Sequence, residues 1–168
     1  MLDILLKGGQ IIDPSQGIHE TLDVGVKNGK IAILQKEITE DRARKTLELK
    51  GKIVTPGLID LHTHVYWKGN SSAVEPDGLA RRSGVTTLVD AGSAGAGNFA
   101  GFKEYVVNSS RSRILSFLNI SYTGMFCFTR DLQVGELLNL ELASVNHAIK
   151  VAQQYSEDIL GIKVRLRY

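Results

Sequence analysis

Residues 56–67 read PGLIDLHTHVYW, a short apolar run that leads into two histidines one residue apart, just after a Pro-Gly pair. Written as a strand, its side chains alternate between two faces. Leu58, Asp60, His62 and His64 then share one face, and Ile59, Leu61, Thr63 and Val65 the other. The second set is largely apolar and suits a layer of helices. The first brings an acid and two imidazoles toward one point, and imidazole is the commonest metal ligand. The spacing lets both rings reach one cation, so the run reads as a metal site at the C-terminal end of a strand. The plainer alternative is two polar strand-end histidines with no metal between them.

The pattern of the chain changes at this run. Before it, short β segments dominate. DILLKGGQIID (3–13) is interrupted at Gly8-Gly9, and TLDVGVKNGKIAIL (21–34) carries Asn28-Gly29 between alternating runs. Asn-Gly supplies the positive φ angles of a tight type I′ hairpin. TLELKGKIVTPG (46–57) adds a further strand. After the histidines, strands alternate with helices, which implies a parallel sheet with crossover helices. EPDGLARRSG reads as a short helix ended by Gly84, VTTLVDAG as a second strand, residues 99–107 as a helix and RILSFLNIS as a third strand. A long aromatic loop, YTGMFCFTRDLQ, comes next. Residues 135–155 show helical period, with Leu138, Leu142, Val145, Ile149 and Ala152 on one stripe. ILGIKVRLRY is a fourth strand. The expected division is a β portion over 1–54 and a βα portion over 55–168.

PGLIDLHTHVY resembles the first-strand signature of the amidohydrolase superfamily, whose members are binuclear metal hydrolases on a (β/α) barrel. HTHVYWKGNSSAVEPD (62–77) and GVTTLVDAGSAGAGNF (84–99) are similar to its dihydroorotase-like amidohydrolase/deacetylase branch. The resemblance covers essentially the whole chain. It implies an α/β fold: the N-terminal part of a (β/α)8 metal-dependent hydrolase barrel, preceded by a small β-sandwich domain to which C-terminal strands also contribute. Four βα strands are half of such a barrel, and a full one takes about 250 residues. A half barrel leaves open sheet edges, so the chain is expected to be part of something longer.

The same resemblance implies roles for particular residues. In the fourth strand Ile159, Gly161, Lys163 and Arg165 share one face, and Leu160, Ile162, Val164 and Leu166 the other. The apolar set suits the helix layer, leaving Lys163 directed into the barrel. An ammonium has no lone pair and cannot ligate a cation, but the family uses a strand-four lysine as a carbamate that bridges two metals. The implied ligands are therefore His62, His64 and a carbamate on Lys163, holding two divalent ions, with zinc expected. Asp60 is the candidate to orient an imidazole, or else a structural acid. The family's further histidines and its general acid/base aspartate are expected beyond residue 168, so the isolated chain is expected to be inactive. The implied activity is hydrolysis of an amide, cyclic amide or acetyl group of a small molecule. The alternatives are a non-catalytic structural or regulatory relative, or an inactive fragment.

Other candidates are weaker. Asp90 and Ser93 follow the second strand, where barrel enzymes place active-site loops, yet loop structure suffices for both. Asn119 and Tyr122 stand where substrate contacts would be. His147 lies mid-helix without an assigned role. Cys127 has no identifiable base beside it and reads as packing. Residues 92–97, GSAGAG, lack the spacing of a phosphate loop and read as a flexible loop. The 168 residues are 43% hydrophobic and 23% charged with a net charge of +2, and no basic cluster points to nucleic acid or an anionic membrane. The lone cysteine cannot form an internal disulfide, which fits a reducing cytoplasm. No apolar run reaches membrane-spanning length. Self-association of the chain is a further expectation.

Overall fold

Asn28 and Gly29, with φ of 52° and 70°, close a two-residue hairpin between β2 (Ile18–Lys27) and β3 (Lys30–Gln35), as the Asn-Gly pair predicts. The structure is a computed structural model and describes residues 1–126, 131 and 136–165. Two units fold from it, Met1–Pro56 and the stretch from Gly57 onward.

In the first unit β1 (Ile4–Asp13) pairs antiparallel with β2 and parallel with β4 (Thr46–Glu48) and β5 (Ile53–Val54). The expected break at Gly8-Gly9 is instead a bulge between Leu6 and Gly9 inside one continuous strand. The Asp23 carboxylate holds it, accepting the N–H of Gly8 at 2.7 Å and of Ile38 at 2.8 Å. Leu2, Leu5 and Ile38 form a small core on one side of the sheet. The other side, with Leu6, Ile11, Val24 and Val26, lines an apolar cleft of about 540 Å³.

The second unit is a four-stranded parallel sheet in the order β6 (Leu58–Thr63), β7 (Val85–Gly95), β8 (Arg113–Asn119), β9 (Ile159–Lys163). The helices α1 (Pro76–Ser83), α2 (Phe99–Phe102) and α3 (Val145–Gln154) lie in the connections. Glu75 caps α1 by accepting the N–H groups of Asp77 and Gly78, a usual way to satisfy first-turn donors. A π-helical turn, Lys103–Val107, continues α2, so helical backbone fills the expected 99–107. The core gathers Leu88 of β7, Ile114 and Leu118 of β8, and Phe99, Phe102 and Val106 of the α2 segment. Central β7 is buried almost without interruption from Leu88 onward, as expected of a parallel strand flanked on both sides.

Three expectations need correction. Residues 92–95 are not a flexible loop; they extend β7. A Cβ on Gly95 would lie 1.9 Å from the Ser121 carbonyl oxygen, so bare backbone is needed there. The helix expected across 135–155 is confined to α3. Residues 140–142 form a 3-10 turn, Ala143 is extended and bridges Ser121, and the Ser144 N–H bonds the Ile120 carbonyl. The buried face of α3 is Ala148 with Val151 and Ala152 behind it, while Leu138, Val145 and Ile149 of the expected stripe are exposed. On β6 and β9, only Thr63 and Val65 of the first apolar set are buried, whereas Ile59, Leu61, Leu160, Ile162 and Val164 are exposed. The reason is position, since β6 and β9 each have one strand neighbour among the described residues. Leu166, assigned to the β9 apolar set, lies outside the described residues.

Candidate metal centre

The end of β6 is tied to the middle of β7 where the histidines sit. Thr63 pairs with Asp90, and the Thr63 hydroxyl donates to the Val89 carbonyl at 2.9 Å. Asp90 is fully buried. Its Oδ2 accepts the N–H of Val65 at 2.8 Å and its Oδ1 the N–H of Ser93 at 2.6 Å. One carboxylate thus fixes the backbone just after His64 and the turn of β7 around Gly92. Burial pushes the Asp90 carboxyl above the usual aspartate range, and the bonds from Val65 and Ser93 oppose that.

His64 is held directly. Its Nδ1 lies 3.0 Å from the Ser93 Oγ. Burial lowers the His64 pKa and a neighbouring His62 charge lowers it further, against an opposing pull from the Asp90 carboxylate. Burial thus favours the neutral ring, the form that carries a lone pair for a metal. The His62 ring stands edge-on to it, with centroids 5.5 Å apart, and is exposed. Asp60 does not meet either imidazole in a hydrogen bond; its Oδ1 accepts the N–H of His62 at 3.0 Å.

Lys163 arrives from the far edge of the sheet. It pairs with Asn119 of β8, and its side chain lies over Gly92, where a Cβ would fall 2.6 Å from the Lys163 Cγ. It is close enough to His64 to depress that ring's pKa. Asn119 faces protein rather than a substrate: its Nδ2 donates to the Gly92 carbonyl at 2.9 Å and its Oδ1 accepts the N–H of Ser121 at 3.0 Å. Tyr122 is partly exposed, stacks edge-on against His147, and lines a cleft of about 230 Å³ with Tyr66 and Phe126. Cys127 lies outside the described residues.

Glu136 is a residue that sequence reading missed. It is buried, has a positive φ of 57°, accepts an ion pair from Arg165 at 2.5 Å and exerts a charge effect on His64. No sequence pattern marks it, because its position depends on an irregular turn. Among the described residues no three His, Cys, Asp or Glu side chains converge closely enough to hold a metal. What the structure brings near one another is the His62 and His64 ring pair and, over Gly92, the Lys163 side chain.

No protein-family model matches the chain. A deacetylase of Agrobacterium fabrum is 37% identical over 138 residues, 82% of this chain and 33% of that protein. Among solved structures, a dihydroorotase superposes over 98% of this chain and 43% of its own length, with a TM-score of 0.85 and 32% identity. An adenine deaminase superposes over 98% of this chain and 42% of its own, with a TM-score of 0.79 and 28% identity. The chain belongs to the amidohydrolase superfamily. It spans about a third of the length of the curated deacetylase it matches, and the stretch matched in these superfamily proteins is their N-terminal portion.

Proposed function

We propose that this superfamily chain supplies the first-strand histidines and the fourth-strand lysine of a metal-dependent hydrolase that acts on an amide, cyclic amide or acetyl group. The observation that supports the reading is that the His62 and His64 rings stand 5.5 Å apart at the end of β6 while the Lys163 side chain lies over Gly92 of the neighbouring β7. The names of the relatives, deacetylase and dihydroorotase, agree in being hydrolases of carbon–nitrogen or acyl bonds. His62 and His64 would hold divalent metal, zinc by expectation, and Lys163 would hold a pair of ions once its amine has added carbon dioxide and lost a proton to become a carbamate. A metal held there supplies a Lewis acid for a carbonyl and activates water near neutral pH.

The chain's own contribution is binding and orientation. Asp90 and Ser93 steady the His64 ring, Gly92 leaves room for the lysine, and the buried β7 backbone excludes water beneath them. The open apolar face of the first unit supports reading it as one layer of a β-sandwich, and the four parallel strands support reading the second as part of a barrel. Substrate binding and the general acid/base are assigned to residues outside this chain, so the purified 168-residue polypeptide is expected to show no hydrolysis. Self-association and a cytoplasmic location belong to the same proposal.

Zinc content tests the reading. The purified chain should retain zinc through dialysis at neutral pH, and His62→Ala with His64→Ala should abolish it. Isotope-labelled bicarbonate should give a carbamate carbon resonance that disappears in Lys163→Ala. A wild-type chain that takes up no zinc would sink the proposal.

A further inference from the structure

The second unit has a cleft of about 550 Å³ that none of His62, His64 and Lys163 lines. Its walls are the turn after β6, the start of α1 and the π-helical turn that continues α2. Trp67, Tyr105 and Phe126 stand around it, 45%, 79% and 53% exposed, with Pro76 and Val106 buried behind them. No ring contact joins any two of the three among the described residues. Single exposed aromatic side chains are ordinary, but several gathered at one place mark a binding surface. Tyr105 is carried by the π-helical turn, a local irregularity that recurs at functional sites.

The polar lining narrows the ligand. Glu75 and Asp77 face the cleft against one ammonium, Lys68. Neither acid is in an ion pair among the described residues. Arg111 exerts a charge effect on Asp77, but its side chain does not line the cleft. Each carboxylate oxygen of both residues already accepts an N–H: those of Glu75 from Asp77 and Gly78, those of Asp77 from Arg111 and Ser112. Their negative charge remains while their acceptor capacity is committed. A metal ion or a primary ammonium asks for free oxygen lone pairs. A neutral ligand would gain from the rings and nothing from the charge. A quaternary ammonium has no N–H to donate and is drawn by ring faces and by charge alone. We infer that this cleft is a binding site for a small quaternary ammonium compound, with the Trp67, Tyr105 and Phe126 rings as its contacts and Glu75 and Asp77 as its counter-charge. The site is separate from the metal chemistry proposed above and stands whether or not the chain holds zinc.

Trp67 is the single tryptophan of the chain, so its emission reads the cleft directly. Choline chloride titrated into the purified 168-residue chain should change that emission saturably. Neohexyl alcohol, the same molecule with carbon in place of the ammonium nitrogen, should need at least about tenfold more for the same change, the ratio expected when several rings and a charge attract the cation. Sodium chloride at equal ionic strength should give no saturable change. Tyr105→Leu keeps an apolar side chain and removes a ring, and should raise the choline half-saturation about threefold. Glu75→Gln keeps a side-chain oxygen for the first turn of α1 and removes the charge, and should weaken choline binding while leaving the alcohol unaffected. Circular dichroism checks that each variant is folded, and the wild-type comparison of choline with the alcohol decides by itself where one is not. An alcohol as effective as choline would reveal a plain apolar cleft and overturn the inference. So would a choline response no different from that of sodium chloride, or one that either substitution leaves unchanged in a folded chain.

Discussion

Gly92 carries two constraints at once. Its φ of 89° belongs to the region that L side chains rarely adopt, and a methyl group there would sit 2.6 Å from the Lys163 Cγ and 2.8 Å from its Cβ. Backbone strain of this kind costs about 1–3 kcal/mol, and the contact adds to it. Gly92→Ala should therefore lower the urea midpoint of the chain and at the same time displace Lys163. The second effect is separable, because loss of the carbamate resonance needs movement of the lysine and a general loss of stability does not. A Gly92→Ala chain with wild-type stability and an intact carbamate would contradict the placement of Lys163 over this residue. The histidine pair was legible in the sequence because period-two alternation fixes which side chains share a strand face. The buried partners were not. Asp90 could be placed at a strand end, but its grip on Val65 exists only once β6 and β7 are in register, and Glu136 depends on a turn that no periodicity announces.

At the scale of elements, α1 is fastened by a residue outside the histidine pair. Asp77, in its first turn, accepts the N–H groups of Arg111 and Ser112 at 3.1 and 2.9 Å and the Ser112 hydroxyl at 2.9 Å, which ties the helix to the turn that begins β8. The Ser112 and Arg111 N–H groups hold its carboxyl below the usual aspartate range. A carboxyl with a depressed folded value stabilises the fold fully above its unfolded value and loses that contribution as pH falls through the folded one. Asp77→Ala should thus cost about 1 kcal/mol at pH 7, a figure kept small by the solvent around this surface site. The gap between variant and wild type should close as the pH falls well below 3.8. A gap that persists unchanged into acid would show that packing, not the charge, holds this junction. The same scale explains the misjudged 135–155 segment. Leucines at helical spacing raise a periodic signal, but Asn139 and Ala143 interrupt it with extended backbone, and the 142–144 stretch bonds to 120–122 instead of coiling. Tertiary pairing overrides propensity there.

The whole molecule carries an imbalance that its parts do not. The second sheet pairs every inner strand, yet β6 and β9 each keep one unpaired side among the described residues. Leu58, Ile59 and Leu61 on one and Leu160, Ile162 and Val164 on the other are 45% to 68% exposed. Unpaired strand edges that bear apolar side chains invite pairing with other chains, since backbone donors and acceptors stand ready and burial of the side chains is favourable. The isolated 168-residue chain should accordingly self-associate at high micromolar concentration, giving a sedimentation profile that shifts with loading. Charge on both edges should suppress it, because each ammonium would lose its water in the joint. Leu61→Lys together with Ile162→Lys is the pair to make, as both side chains already face solvent and their replacement leaves the buried core untouched. The doubly substituted chain is expected to sediment as a monomer with an unchanged circular dichroism spectrum. If the unsubstituted chain stays monomeric over the same range, the edges are already satisfied in solution. If both chains associate alike, the joint lies elsewhere, and the apolar cleft of the first unit, lined by Leu6, Val24 and Val26, is the next surface to charge.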